Sequence, residues 1–382
     1  MTMEQAALEV DFLVVGGGIA GASVGYFLAP HGRVAVLEAE AQPGYHSTGR
    51  SAALFSETYG PPQVRALSRA SRAFLEHPPA GFAEHPILTP RGVLLVGDPD
   101  RPADVEQALA EIRDPTGQVR RVSAAEAIVR VPVLRPERTG DCIVEPDASD
   151  IDVHALHQGF LRGLRAHGAT VHGDAAVRAI ERRPRGGWQV QAGSLSVRAM
   201  VLVNAAGAWA DEVAALAGVR PIGLVPKRRS AFTFAPPAGM AVRDWPLLIA
   251  LDESWYVKPD AGVLLGSPAN ADPVVPHDVQ PEELDIALAI DRIERATTLT
   301  IRRPLRTWAG LRSFVADGEL VGGPAPDAPD FCWVAAQGGY GIQTCAAMGE
   351  ACAALARGLP IPQRLRDFGI DAAGLSPVRL GG

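Results

Sequence analysis

Gly16-Gly17-Gly18-Ile19-Ala20-Gly21 satisfies GxGxxG. In that spacing the first glycine allows a tight turn, the second lets backbone approach a pyrophosphate, and the third lets helix and strand pack closely. The phosphates of a dinucleotide would rest on the N-terminus of the following helix, where unpaired N–H groups favour negative charge. Glu38 follows after about twenty residues, the place from which a carboxylate reaches a ribose hydroxyl. Near the other end, the glycine-rich turn Gln337 to Gly341 opens onto Ile342 to Leu355, a second helix N-terminus able to face an anionic part of a cofactor. A glycine turn alone is common, but strand, turn, helix and acid in that order read as an adenine dinucleotide site. The first unit leaves NAD and FAD open. Contact with both ends of the chain favours an extended flavin, although the second segment also reads as a plain strand and helix.

These residues need elements to hold them. Asp11 to Val15 and Arg33 to Leu37 read as strands around a helix from Ile19 to Ala29 that Pro30 stops, a right-handed βαβ unit. The middle carries strand signals at Val93 to Val96, Trp188 to Gln191 and Arg229 to Phe234. Trp255 to Lys258 and Val263 to Leu265 flank a Pro-Asp-Ala-Gly turn, which predicts an antiparallel hairpin. Helices are expected over Asp152 to His167, Asp211 to Ala217 and Pro281 to Ala296, and Phe331 to Ala336 reads as a further strand. No clean linker separates two halves, so two domains are expected to interleave.

The chain has 382 residues, a size for two domains, with 36 basic against 43 acidic side chains and a net charge of −7. That balance offers no electrostatic footprint for nucleic acid. Cys142, Cys332, Cys345 and Cys352 form no CxxC pair, which speaks against zinc or a redox dithiol and for a reducing, cytoplasmic setting. Met1 to Val10 carry Glu4 and Glu9 but no Lys or Arg, the wrong charge for a signal peptide. No apolar window reaches the length of a spanning helix, since Phe331 to Ala356 is interrupted by Gln337, Gln343 and Glu350. There is no GxSxG, GxxxxGK or HExxH. Asp152, His154 and His157 share a helical face, but with no third ligand they read as a solvated helix start, and no metal site is expected.

The runs GYHSTGRSAA (Gly44 to Ala53), VLVNAAGAW (Val201 to Trp209), PKRRSAF (Pro226 to Phe232), TWAGLRSFVADG (Thr307 to Gly318) and WVAAQGGYGIQT (Trp333 to Thr344), together with the glycine motif and Glu38, carry a resemblance. Over nearly the whole chain the sequence resembles the bacterial FAD-dependent D-arginine dehydrogenases of the D-amino-acid oxidase superfamily. The resemblance implies an α/β (α+β) fold in which a Rossmann-like FAD-binding domain (1–60, 147–225 and 306–382) interleaves with an antiparallel-sheet substrate domain (61–146 and 226–305). It implies cofactor contacts at Gly16, Gly18, Ile19, Ala20, Gly21, Glu38 and Ala39, and at Ser47, Thr48, Gly49, Arg50, Ser51 and Ala53. Val177, Ala206 and Gly207 add to these, as do Gly338, Tyr340, Gly341, Ile342, Gln343 and Thr344. Arg229 and Arg312 match the arginines that bind the substrate carboxylate, a job suited to a guanidinium's paired donors, and Tyr59 and Tyr256 match tyrosines that complete it. Gly310 and Gly339 match positions whose carbonyls hold the substrate amine.

The implied reaction is oxidation of a D-amino acid by hydride transfer from Cα to flavin N5, giving an imino acid that water hydrolyses to a 2-oxo acid and ammonia. Two departures bear on the side chain. Val93 stands where D-arginine dehydrogenases carry a glutamate, and Leu54 stands where they carry a histidine. Both changes remove polarity. With Leu247 and Ile249 also at pocket positions, apolar D-amino acids are expected over basic ones. Val263-Leu264-Leu265 lacks the lysine that oxidase relatives place beside the flavin, which favours a dehydrogenase passing electrons to a quinone or a soluble carrier. No Cys or His lies near Gly310 or within Ser47 to Ala53, so FAD is expected to be non-covalent. The expected setting is the cytoplasm or the periphery of the inner membrane. An oxidase of D-amino acids, glycine or sarcosine, and a flavin-holding protein that binds amino acids without turnover, remain the alternatives.

Overall fold

Runs that are apolar at every position, such as Val34 to Leu37, fold as strands buried on both faces. The computed structural model describes residues 7–112 and 117–381; part of the signal-peptide reading, including Glu4, falls outside the described residues. Strand Leu8–Val15 pairs in parallel with Val34–Leu37 on one side and Leu195–Asn204 on the other. Thr170–His172 lies beyond Val34–Leu37, and Ala328–Ala335 runs parallel to Leu195–Asn204. Hairpin Val177–Arg182 with Trp188–Ala192, and strand Val321–Ala325, complete an eight-stranded sheet. Its register sets four strand ends along one edge: Val15 pairs with Leu37 and Asn204, and Asn204 with Trp333. At such a carboxyl edge, open parallel sheets bind their ligands.

Helices Ile19–Leu28 and Gly341–Ala356 lie against each other beside this sheet so closely that a Cβ on Gly349 would stand 2.9 Å from Ser23. Helix Val153–Ala166 packs on the first of them, with the Tyr26 ring in contact with Gly163. Tyr26 meets Phe27, Phe74, Phe82 and Phe160 edge-on, contacts of about 0.5–1.5 kcal/mol each beyond their buried area. Among the described residues no helix is long and apolar enough to cross a membrane.

A second, nine-stranded sheet is built from Val225–Phe234, Val263–Ser267, Tyr256–Asp260, Leu247–Ala250, Val93–Val96 and Cys142–Glu145, in that spatial order, with shorter strands at its ends. The expected hairpin is closed by Ala261 and Gly262, both at positive φ as its two-residue loop requires. Residues 306–314, grouped above with the cofactor segments, pair along their length with Val225–Phe234. Side chains directly opposite on paired strands share a face. One face puts Leu94, Val144, Leu248, Val257 and Phe232 into a core covered by helix Glu283–Ala296. The other carries Arg229, Gly310, Arg312, Tyr256, Ile249, Leu247, Val93 and Glu145 in linked register.

Candidate active site

At the carboxyl edge of the first sheet, Gly16 turns at φ +102°, where a Cβ would stand 2.4 Å from the Ala205 carbonyl oxygen. A Cβ on Gly21 would meet the Gly16 carbonyl oxygen at 1.8 Å, so both positions require glycine. Gly18 caps the helix that Ile19 and Ala20 open, and Ile19 N–H donates to Thr48 Oγ1 at 3.0 Å. The Glu38 carboxylate accepts from Gly17 N–H at 2.9 Å and Glu40 N–H at 3.0 Å, which fixes it at the edge with Ala39 exposed beside it. Ala206 and Gly207 leave the same edge after Asn204, and Val177 begins its strand two residues beyond Ala175, whose N–H bonds the Glu38 carbonyl.

The segment from Ser47 to Ala53 bridges the two sheets. Ser47 Oγ donates to the Leu311 carbonyl at 2.7 Å, and Trp308 Nε1 donates to the Arg50 carbonyl at 3.0 Å. The Arg50 guanidinium is engaged by Asp278 and by the carbonyls of Val279 and Ala309. Gly338 N–H donates to the Ser313 carbonyl at 2.9 Å, which ties the second glycine turn to the same strand.

Between these segments opens a cleft. Its walls include Ile19, Thr48 and Ser51 on one side, Arg229, Tyr256, Gly310 and Arg312 on the second, and Gly338, Gly339, Gly341 and Ile342 on the third. Arg229 Nε donates to the Asn270 carbonyl at 2.6 Å. Arg312 lies over Gly339, where a Cβ would meet its Nη1 at 2.6 Å, so Gly339 is glycine to let the guanidinium pass. Among the described residues neither arginine pairs with a carboxylate, in contrast to Arg228, which Glu282 and Asp285 hold. Burial, together with the charge of Arg312, lowers the pKa of Arg229. Burial opposes the charge of Arg312 too, but the hydroxyls of Tyr59, Tyr256 and Tyr340 outweigh it and raise its pKa. Two guanidiniums therefore face one cleft, neither of them ion-paired among the described residues, with the exposed Glu253 carboxylate acting on Arg229 only from a distance.

Leu54, Val93, Leu247 and Ile249 lie outside the walls of that cleft, and Tyr59 adjoins it beside Arg312. The Tyr59 ring meets Tyr340 edge-on at 5.2 Å, and its hydroxyl lies close enough to Arg312 to raise the pKa of that guanidinium. Leu247 pairs with Val93 and Ile249 with Tyr256, so they continue the same face outward from Tyr256, and Leu54 sits on the small strand opposite Asp150. Polarity was expected to leave this region with Val93. The neighbouring strand returns some of it, because Glu145 stands directly opposite Val93 and is buried.

Residues 11–355 match the family model DAO, FAD dependent oxidoreductase. The chain belongs to this family. It is 24% identical over 375 residues to mitochondrial dimethylglycine dehydrogenase of Rattus norvegicus, covering 90% of this chain and 42% of the relative. It thus spans less than half the length of that relative. Among solved structures, L-alpha-glycerophosphate oxidase of Mycoplasma pneumoniae superposes with a TM-score of 0.82 at 16% identity, over 91% of this chain and 95% of the other. Glycine oxidase of Geobacillus kaustophilus does so with 0.79 at 21%, over 92% and 96%. Both likenesses are of fold.

The DAO-family cofactor, FAD, fits the residues present. Besides the glycine cradle, Gln343 is 3% exposed and, among the described residues, its Nε2 has no hydrogen-bond partner, while its Oε1 accepts from Ser56 N–H at 3.1 Å. A buried amide donor left unpaired costs about 1–3 kcal/mol unless a ligand acceptor meets it. Thr344 differs, since its hydroxyl bonds the Tyr340 carbonyl within the helix. Neither lysine of this DAO-family chain lies in strand Val263–Ser267: Lys227 stands over the Phe314 ring, and Lys258, buried and directly opposite Leu265 on the adjacent strand, pairs with Asp150 at 2.7 Å.

His157 is not part of a solvated helix start: it is 4% exposed, and its Nε2 donates to the Gly17 carbonyl at 2.8 Å, supporting the glycine turn from beneath. Asp152 caps the helix by accepting Ala155 N–H. The helical periodicity held a signal for this, because Leu156, Phe160 and Leu164 bracket His157 on the buried side. Ser56, Thr58 and Glu145 carried no such signal, as their partners are distant in sequence.

Proposed function

We propose that the chain is a FAD-dependent D-amino acid dehydrogenase, which oxidises the Cα–N bond of a D-amino acid to an imino acid that water hydrolyses to a 2-oxo acid and ammonia. The observation that carries this reading is the pair of guanidiniums, Arg229 and Arg312, facing one cleft with neither ion-paired to a carboxylate among the described residues. An α-carboxylate is the ligand such a pair accepts, through charge-assisted and bidentate hydrogen bonds. The hydroxyls of Tyr59 and Tyr256 complete its binding. The carbonyls of Gly310 and Gly339 hold the amine, and the two cations disfavour its ammonium form, so the nitrogen lone pair is available. Bound FAD supplies the acceptor of the Cα hydride. The protein's part is to fix Cα in one orientation, with no strong side-chain base required.

FAD is held non-covalently in this account, since the four cysteines are buried and none lies in the Ser47–Ala53 segment. The absence of a lysine from strand Val263–Ser267 supports a dehydrogenase rather than an oxidase. Leu54, Val93, Leu247 and Ile249 favour an apolar side chain, and the Glu145 carboxylate is already engaged by protein hydroxyls. The names of the relatives, a dimethylglycine dehydrogenase and a glycine oxidase, support an amino-acid substrate. Incubation with racemic leucine and an artificial electron acceptor tests the reading by chiral analysis. Loss of the D-form with equimolar 2-oxo acid and ammonia is expected; loss of the L-form, or of neither, contradicts it.

A further inference from the structure

Glu145 ends strand Cys142–Glu145 on the face that carries Tyr256, is 5% exposed, and has no place in the chemistry above. Ser56 Oγ donates to its two oxygens at 3.0 and 2.9 Å, and Thr58 Oγ1 donates to Oε2 at 2.7 Å. The segment they belong to has no regular structure between strand Leu54–Phe55 and helix Pro62–Glu76, yet it carries Tyr59. Its backbone is held on the other side by Gln343, which accepts Ser56 N–H from the helix facing the cofactor. Tyr59 itself reaches Tyr340 and Arg312.

From this geometry we infer that Glu145 is a positioning residue: through Ser56 and Thr58 it fixes the segment that aims the Tyr59 hydroxyl at the substrate carboxylate. A carboxylate suits the task because both of its oxygens accept, so each hydroxyl gains a charge-assisted bond. Glutamine would turn an NH₂ donor toward one of them. The inference rests on the proposed role of Tyr59, and the test separates the two.

The holoenzymes Glu145→Ala, Glu145→Gln, Tyr59→Phe and the Glu145→Ala/Tyr59→Phe double variant are compared in steady state with D-leucine. Ser56→Ala/Thr58→Ala approaches the same bonds from the other side. Glu145→Ala and the Ser56/Thr58 variant are expected to raise KM about tenfold while kcat changes less than about twofold, with Glu145→Gln between them and the wild type. Flavin content stays unchanged, and Glu145→Ala adds little once Tyr59 is Phe, because the loss passes through the tyrosine. Additive losses in the double variant, or flavin loss without a KM change, overturn the inference. So does a change confined to the ratio of D-arginine to D-leucine, which would assign Glu145 to side-chain recognition. If Tyr59→Phe leaves KM unchanged, the role of Tyr59 fails and the inference with it; if Tyr59→Phe raises KM and Glu145→Ala does not, only the inference fails.

Discussion

Arg229 stands directly opposite Gly310 on the neighbouring antiparallel strand, and Arg312, two residues further along that strand, faces the same cleft. Strand pleating thus gathers two cations and a glycine at one point. The arrangement predicts that Arg312→Leu lowers kcat/KM for D-amino acids by about 10²–10³-fold, the loss of a buried charge pair with the ligand. Arg312→Lys should recover only part of it, because an ammonium lacks the planar fork. Stopped-flow flavin reduction over a range of substrate concentrations checks both.

Gln343 offers the cofactor a donor that nothing else in the described protein uses. Gln343→Leu, similar in size, should weaken FAD binding about tenfold, the effect of one buried hydrogen bond. Titration of apoprotein with FAD, followed by flavin fluorescence, measures it. Unchanged affinity would mean that the amide serves only Ser56.

His157 couples the glycine turn to pH. Burial pushes its pKa below the ordinary 6.5, with the charges of His154 and Arg165 adding to the effect. A histidine with a depressed folded value favours the fold while neutral, so the stabilisation is full above pH 6.5 and is lost as pH falls through the lower folded value. Thermal stability of the holoprotein should therefore fall on acidification below pH 6.5, and His157→Gln should flatten that part of the profile. Melting temperatures from pH 5 to 8 decide it.

Val93 pairs with Leu247 on one side and Glu145 on the other, a position where a carboxylate would reach the pocket face. Val93→Glu should shift the kcat/KM ratio of D-arginine to D-leucine toward arginine by about tenfold or more. Competition between the two substrates at fixed total concentration reads the ratio directly.

Gly16 to Gly21 and Glu38 were legible in the sequence because the whole motif is local: strand, turn and helix follow one another and the acid closes the next strand. Four strands of the second sheet, those at Val93, Arg229, Trp255 and Val263, were legible for the same reason, down to the Ala261–Gly262 turn, whereas Cys142–Glu145 and Arg306–Phe314 were not read as strands. Which of their residues share a face was not. Arg229 and Arg312 come together through a pairing of two strands far apart in the chain, and hydropathy patterns say nothing of such a register. Glu145 shows the consequence: reading Val93 alone predicted an apolar wall, while the strand beside it supplies a carboxylate. His157 was misplaced because a histidine near a helix start is usually wet, and only the fold brings Gly17 above it.

Oxidation of D-amino acids is read out by mixing the oxidised, FAD-loaded protein under anaerobic conditions with D-leucine, D-phenylalanine, D-arginine, glycine and L-leucine in turn. The readout is the loss of flavin absorbance near 450 nm. Rapid bleaching by the apolar D-forms, slower bleaching by D-arginine and none by L-leucine is the predicted result. Faster bleaching by L-leucine than by D-leucine, or no bleaching by any of the five, would contradict it.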